Sequence, residues 1–333
     1  MAYVYRHFIP QNTAPKGSIS IGLYDSNGKK VRSIPLGGLT PPTKEKLYSF
    51  GLVSDMHLWK SGLDWNPDIK FDSALTYFES QGCVFCAHCG DITQTGFYYE
   101  GDAVNINYVQ FAEYKRWCDA HPNLPVYGIC GNHESYVNPV SNNLTELKTY
   151  TGTDLYYSIE QGNDLFIFLG QPSATVVMST EAYTCLTQTL AANSHRRCFV
   201  FVHAYIEEDS GDPCDVRENS IFDHWGATNT NAFMNLLSQY DNVVLFHGHS
   251  HMKFQCQELD ECANYTEKNG FKSVHVPSLG VPRDVDTVNK VSVDDRTASQ
   301  GYIVDVYDDC IVLNGMDFIN NQPIPLGTFK IDT

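Results

Sequence analysis

Residues Val243 to His251 read VVLFHGHSH. Four apolar residues make a short buried-strand run that stops in a glycine and three histidines, His247, His249 and His251. In an extended segment, residues two apart project to the same side, so His249 and His251 are expected to offer two imidazoles to one spot. Gly248 allows a tight turn beside them. A metal site is one reading of this stretch, and a polar loop rich in histidine is the other. The same event recurs along the chain: apolar strands end at Asp55 and His57, at Asp91, at Asn132 and His133, and at His203. Ligand sites of open α/β sheets lie at the carboxyl ends of strands. So many polar strand ends in one chain are hard to explain as packing.

In order and spacing these residues resemble the calcineurin-like metallophosphoesterase superfamily, whose pattern runs DxH, GDxx, GNH[DE], a later His and GHxH. Here the positions are Asp55-Met56-His57, Gly90-Asp91, Gly131-Asn132-His133-Glu134, His203 and Gly248-His249-Ser250-His251, so the match covers roughly Leu47 to His251. The resemblance implies that Asp55, His57 and His251 are ligands of one divalent ion, and Asn132, His203 and His249 of a second, with Asp91 bridging both. It implies that His133 is a non-ligand catalytic histidine beside the leaving-group oxygen, and that His133 and Asn132 meet the substrate. The implied fold is an α/β, four-layer α/β/β/α sandwich of two mixed β-sheets flanked by helices, its second sheet completed by C-terminal strands.

The donor set also makes chemical sense by itself. Nitrogen and oxygen ligands without thiolate suit Mn, Fe or Zn and do not select among them. Two such ions clamp both the attacking and the leaving oxygen of an in-line displacement, and they lower the pKa of a bridging water toward neutrality. With only two carboxylates among the ligands, such a centre stays positive and attracts a phosphate ester even though the chain carries a net charge of −17. The expected activity is therefore dimetal-dependent hydrolysis, a metal-bridging hydroxide attacking the phosphorus of a small phosphomonoester or phosphodiester, with nucleotides among the candidates. The alternative is a structural or binding component, for example of a phage or prophage particle, that uses the phosphoesterase fold as a scaffold.

Departures from the pattern narrow the subclass. Gly90-Asp91-Ile92-Thr93-Gln94-Thr95-Gly96 lacks the arginine that grips phosphate in the family's Ser/Thr protein phosphatases. Gln94 stands where purple acid phosphatases place a tyrosine ligand. The loops after the motifs carry Trp59, Trp65, Tyr98, Tyr99, Tyr136, Tyr205 and Trp225. These aromatics either stack on a base or sugar of the substrate, Tyr205 foremost, or pack the loops. The acidic insertion over 206–228 reads as a solvated loop, the alternative being an acidic lid that disfavours polyanionic substrates.

The elements that must position these residues alternate first and turn β-rich later, which is the pattern of a layered α/β fold. Residues 1–46 read as a small β-rich extension, with a hairpin turn at Ser26-Asn27-Gly28; residues 47–333 read as the phosphoesterase domain. Strands are expected at LYSFGLVSD, CVFCAHCGD, VYGIC, LYYSIE, LFIFLG, CFVFV and the opening stretch. Helices are expected after a cap at Asp72, over about 105–120, around Leu186 and Leu190, and around Phe233 and Leu237. The remaining strands are FKSVHVPSL, GYIVDVYD, CIVLNGMDF and PLGTFKIDT.

A chain of 333 residues, 42% hydrophobic and 18% charged, has the composition of a globular protein with a sizeable core. The net charge of −17 argues against duplex nucleic acid and anionic membrane as partners. No apolar run is long enough to span a bilayer, and no signal pattern opens the sequence. A cytoplasmic or virion-associated protein is the expectation. Of the 11 cysteines, Cys83, Cys86 and Cys89 have the spacing of a zinc knot, but they sit in an apolar run and are read as buried small hydrophobes. His88 is read as a core histidine and His247 as a structural one.

Overall fold

The computed structural model describes residues 19–24, 30–36, 42, 44–58, 66–94, 106–135, 147–172, 178–204, 232–258, 264–267, 270–286 and 291–333. Strands β1 (Ile19–Tyr24) and β2 (Lys30–Leu36) pair antiparallel as a two-stranded ribbon. The turn expected between them, the aromatic residues singled out in the loops and the acidic insertion lie outside the described residues.

Two sheets carry the rest. One contains β3 (Tyr48–Val53), β4 (Cys86–His88) and β5 (Val126–Gly128) in parallel. It continues from β3 into the antiparallel strands β14 (Gln300–Val306) and β15 (Cys310–Asp317), with β16 (Gln322–Pro323) and β17 (Phe329–Asp332) both on β15. The other has the order β10-β11-β9-β8-β7-β6. These strands are β6 (Tyr156–Gln161), β7 (Asp164–Leu169), β8 (Cys198–Phe201), β9 (Val243–His247), β10 (Tyr265–Thr266) and β11 (Lys272–His275). Its inner four strands are parallel, and β6 and β10 close the edges antiparallel. A separate ribbon pairs β12 (Arg283–Asp286) with β13 (Val291–Asp294).

Side chains alternate across a strand, and here both faces of each sheet find a cover. Phe166, Phe168, Phe199, Phe201 and Phe246 turn inward onto Phe50, Phe85 and Tyr302 of the facing sheet. Their neighbours Leu165, Ile167, Leu169, Val200 and Leu245 turn outward onto Leu186 and Leu190 of helix α3 (Thr180–Ala192) and onto Phe233 and Leu237 of a helix over 232–237. The outer face of the first sheet packs in the same way on α1 (Pro67–Ser80) and α2 (Ile106–Ala120), through Phe71, Leu75, Phe78, Phe111 and Tyr114. The layers are therefore α/β/β/α.

Two local expectations change. Asp72 does not cap α1, which starts five residues earlier at Pro67 behind Asn66. Proline fixes φ near the helical value and lacks the N–H that a first turn cannot use, so it opens the helix without a side-chain cap. The strand expected over CVFCAHCGD shrinks to Cys86–His88. Cys83, Cys86 and Cys89 are buried in apolar clusters, and the cysteines of the described residues are free thiols. Among the described residues no helix is long and apolar enough to cross a membrane.

Candidate metal centre

The carboxyl ends of β3, β4, β5, β8 and β9 meet where the two sheets adjoin, and the loops leaving them are stitched together by the backbone. Asp55 N–H donates to the Gly90 carbonyl and His57 N–H to that of Asp91, each at 3.0 Å. Gly248 N–H donates to the His203 carbonyl at 3.0 Å. Hydrogen bonds also cross between the sheets, among them His203 Nδ1 to the Cys89 carbonyl at 2.8 Å and His249 N–H to Asp55 Oδ2 at 2.9 Å.

Turning five side chains into one small volume demands unusual backbone. Asp55, His57, Asp91, His249 and His251 have φ of 51°, 52°, 52°, 73° and 63°. The left-handed region costs a non-glycine residue about 1–2 kcal/mol, and such strain collects at functional sites because the surrounding structure over-determines it. For this reason His249 and His251 do not share one spot, as an extended segment would require. Strand β9 ends at His247, and the two imidazoles diverge into different donor groups.

Those groups are Asp55, His57, Asp91 and His251, and Asp91, His203 and His249; within each, one donor atom per residue lies within 4.8 Å of the others. Asp91 is the member common to both. Asn132 joins the second group, its Oδ1 2.9 Å from His203 Nε2. His57 Nε2 and His251 Nε2 are 2.9 Å apart, and His203 Nε2 and His249 Nδ1 are 3.1 Å apart.

The carboxylates show what the donors lack. Asp55 Oδ2 accepts from His249 N–H, and Asp91 Oδ1 accepts from His133 N–H at 2.9 Å. Their other oxygens, Asp55 Oδ1 and Asp91 Oδ2, are buried and make no hydrogen bond. Imidazole nitrogens stand around them instead: His251 Nε2 is 3.3 Å from Asp55 Oδ1, and His203 Nε2 is 3.2 Å from Asp91 Oδ2. An orphaned buried carboxylate oxygen calls for a cation, and this donor set fits a pair of divalent ions.

Electrostatics prepare the same state. Burial alone would push both carboxyls up, but the surrounding imidazoles outweigh it and hold Asp55 and Asp91 well below the usual carboxylate range. Burial, reinforced by neighbouring imidazoles, drives His57 well down and His249 down to about 3, so both are neutral donors. His203 goes the other way: burial would lower it, but Asp91 and Asp55 raise it to about 9.

His133 sits at the rim. It is in neither donor group. Its Nδ1 faces the Gln94 carbonyl at 3.4 Å, its Nε2 is 3.8 Å from Asp91 Oδ2, and its ring packs edge-on to His57 at 4.4 Å between centroids. Burial lowers its pKa. His88 is buried on β4, its Nδ1 accepting from Gly90 N–H at 3.2 Å. His247 is buried on β9 beside His275 of the neighbouring strand.

A cleft of about 200 Å³ opens beside the centre, lined by His57, Gln94, His133, His251, Val281, Arg283, Asp294 and Arg296. The arginines belong to the β12–β13 ribbon and to the turn after it. No motif in the sequence points to them, because they lie more than thirty residues beyond the last ligand motif and join the site only through pairing of the ribbon with it. Tyr205, proposed from sequence as a stacking residue, lies outside the described residues.

A family model described as calcineurin-like phosphoesterase matches residues 48–253. Among solved structures the chain is similar to a dimetal phosphatase from Danio rerio, with 15% identity, a TM-score of 0.59, and coverage of 86% of this chain and 99% of that one. It also matches a predicted phosphoesterase from Streptococcus pneumoniae, with 10% identity, a TM-score of 0.40, and coverage of 86% and 98%. A phosphoesterase from E. coli matches with 10% identity, a TM-score of 0.37, and coverage of 85% and 98%. A comparison with curated proteins gives no match.

Proposed function

The chain belongs to the calcineurin-like phosphoesterase family, and on that premise we propose that it is a dimetal hydrolase of small phosphomonoesters or phosphodiesters. The observation that carries this reading is Asp91, itself buried, shared between two donor groups and left with one oxygen that has no hydrogen bond. Asp55, His57 and His251 would hold one ion with Asp91, and Asn132, His203 and His249 the other. A pair of divalent ions, Mn, Fe or Zn, supplies Lewis acidity toward the phosphoryl oxygens and lowers the pKa of an attacking water.

The protein's own groups do the rest. The hydrogen bonds from His203 Nδ1 to Cys89 and from His251 Nδ1 to Val281 leave the Nε2 atoms of both rings as inward donors. His133 has Nδ1 turned to the Gln94 carbonyl and lines the cleft; as the imidazolium, with a proton taken up from solvent on Nε2, it would hydrogen-bond the departing oxygen and pass it that proton, returning to the neutral ring. The amide nitrogen of Asn132 is a donor for a phosphoryl oxygen.

Metal analysis of the purified protein, followed by assay of an aryl phosphate and a bis-aryl phosphate with added Mn, Zn or Fe, tests the proposal. Turnover that depends on metal and disappears in Asp91→Asn supports it. Two bound ions with no turnover of either ester would replace it with a binding or structural role.

A further inference from the structure

Arg283 and Arg296 both line the cleft that holds His57, His133 and His251. Arg283 is held there by the backbone: its N–H donates to the His251 carbonyl at 2.8 Å, and its carbonyl accepts from Lys253 N–H at 3.0 Å. It stands opposite Asp294 in the β12–β13 register and meets that carboxylate through Nε at 3.2 Å. Of its guanidinium, this pairing uses one donor of five. Two neighbouring acids have a different cation: Lys253 Nζ reaches Asp284 Oδ2 at 2.9 Å and Asp295 Oδ2 at 2.8 Å. The ribbon and the turn after it bring two guanidinium groups, together with the Asp294 carboxylate, to the lining of the cleft in a chain whose net charge is −17.

We infer that Arg283 and Arg296 bind a second anionic group of the substrate, next to the scissile phosphoryl, so that the preferred substrate class is a diphosphate rather than an isolated monophosphate. The inference rests on the phosphoester reading above for the scissile group. That group needs no arginine, since the two donor groups with their cations already neutralise it. The arginines enter the cleft from the ribbon, and of the ligand candidates only His57 and His251 line it. A phosphoryl group held at those residues would place its neighbour toward the ribbon. Arginine suits that position because its planar fork meets phosphate oxygens in pairs.

Calorimetric titration of the metal-loaded protein with inorganic pyrophosphate and, separately, with inorganic phosphate tests this without requiring turnover. The wild type should bind pyrophosphate at least about tenfold more tightly than phosphate, a difference of about 1.4 kcal/mol. Arg283→Gln and Arg296→Gln should each narrow that ratio, and the double variant should bring it close to one, with the metal content of all three measured alongside. A wild-type ratio near one, or a ratio unaltered in the double variant because both ligands weaken together or neither does, overturns the inference. A pyrophosphate preference that depends on the arginines, in a protein that hydrolyses no ester, would uphold this site while refuting the hydrolase reading. Hydrolysis without that preference would do the reverse.

Discussion

Glu134 and Thr93 lie 41 residues apart, yet Glu134 Oε1 accepts from both the Thr93 N–H at 2.7 Å and its hydroxyl at 2.9 Å. The other oxygen, Oε2, accepts from Gly131 N–H at 2.6 Å. One buried carboxyl therefore ties the turn after Asp91 to the turn that carries Asn132 and His133. Glu134→Gln turns one acceptor into an NH2 group facing an N–H. It should destabilise the fold by about 1–3 kcal/mol and weaken metal binding about 10–100-fold, the usual scale for a partner that orients ligands. Chemical denaturation and metal titration of the two proteins measure both effects.

His133→Ala removes the rim imidazole and leaves both donor groups whole. Metal content should stay at the wild-type value while kcat falls by about 10²–10⁴, the range of a lost proton-transfer group. Loss of metal together with rate would mean that His133 supports the cage itself.

Two glycines make a controlled comparison. A Cβ on Gly248 would overlap Ser54 Oγ and sit 2.5 Å from Asp55 Oδ2, the oxygen that anchors His249 N–H. Gly248→Ala should therefore displace Asp55 and reduce metal stoichiometry. Gly82 has φ +71°, and a methyl group placed on it would meet nothing within 4 Å. Gly82→Ala should cost about 1 kcal/mol of stability through backbone strain and leave metal content alone.

Removal of metal should be felt by the fold. Without cations Asp55 Oδ1 and Asp91 Oδ2 stay buried and unsatisfied. Chelation should lower Tm, and restoring an ion at about 100 times its Kd should return about 2.7 kcal/mol. Asp91→Asn should abolish most of that response, because Asp91 is common to both groups. A chelator-independent Tm would contradict the cage.

His121 provides a pH response remote from the centre. It joins α2 to α1, with Nδ1 2.9 Å from Glu79 Oε2 and Nε2 3.0 Å from Asp72 Oδ1. Desolvation pulls its pKa down, but the two carboxylates outweigh it and raise the pKa above 6.5. A raised folded-state pKa means the folded chain holds its proton longer than the unfolded one. The stabilisation is complete below about pH 6.5 and is lost as pH rises through the raised value. The stability difference between wild type and His121→Gln, measured by denaturation from about pH 5 to pH 9, should shrink toward the alkaline end.

Much of this protein is legible in the chain. The parallel strands β7, β8 and β9 stand out because both faces of each are buried, which leaves near-continuous apolar runs such as DLFIFL and VVLFH. The donor set is legible because each run ends abruptly in Asp, Asn or His, a local property of residue order. The start of α1 is not, because Asp72 looks like a cap while its carboxylate serves His121, a partner 49 residues away.

By itself, the sequence determined which residue types stand at the strand ends and in what order, and hence which nitrogen and oxygen donors are available there; their division between two cations is what the family resemblance implies. Only the tertiary structure decided how they are shared. His203 is oriented by the carbonyl of Cys89, 114 residues distant and in the other sheet. His249 and His251 part company because left-handed backbone replaces the extended chain that their spacing implies. Arg283 reaches the cleft because its strand pairs beside Met252. Strand ends are written in short-range pattern, whereas the meeting of two sheets is a sum of long-range contacts that no local window contains.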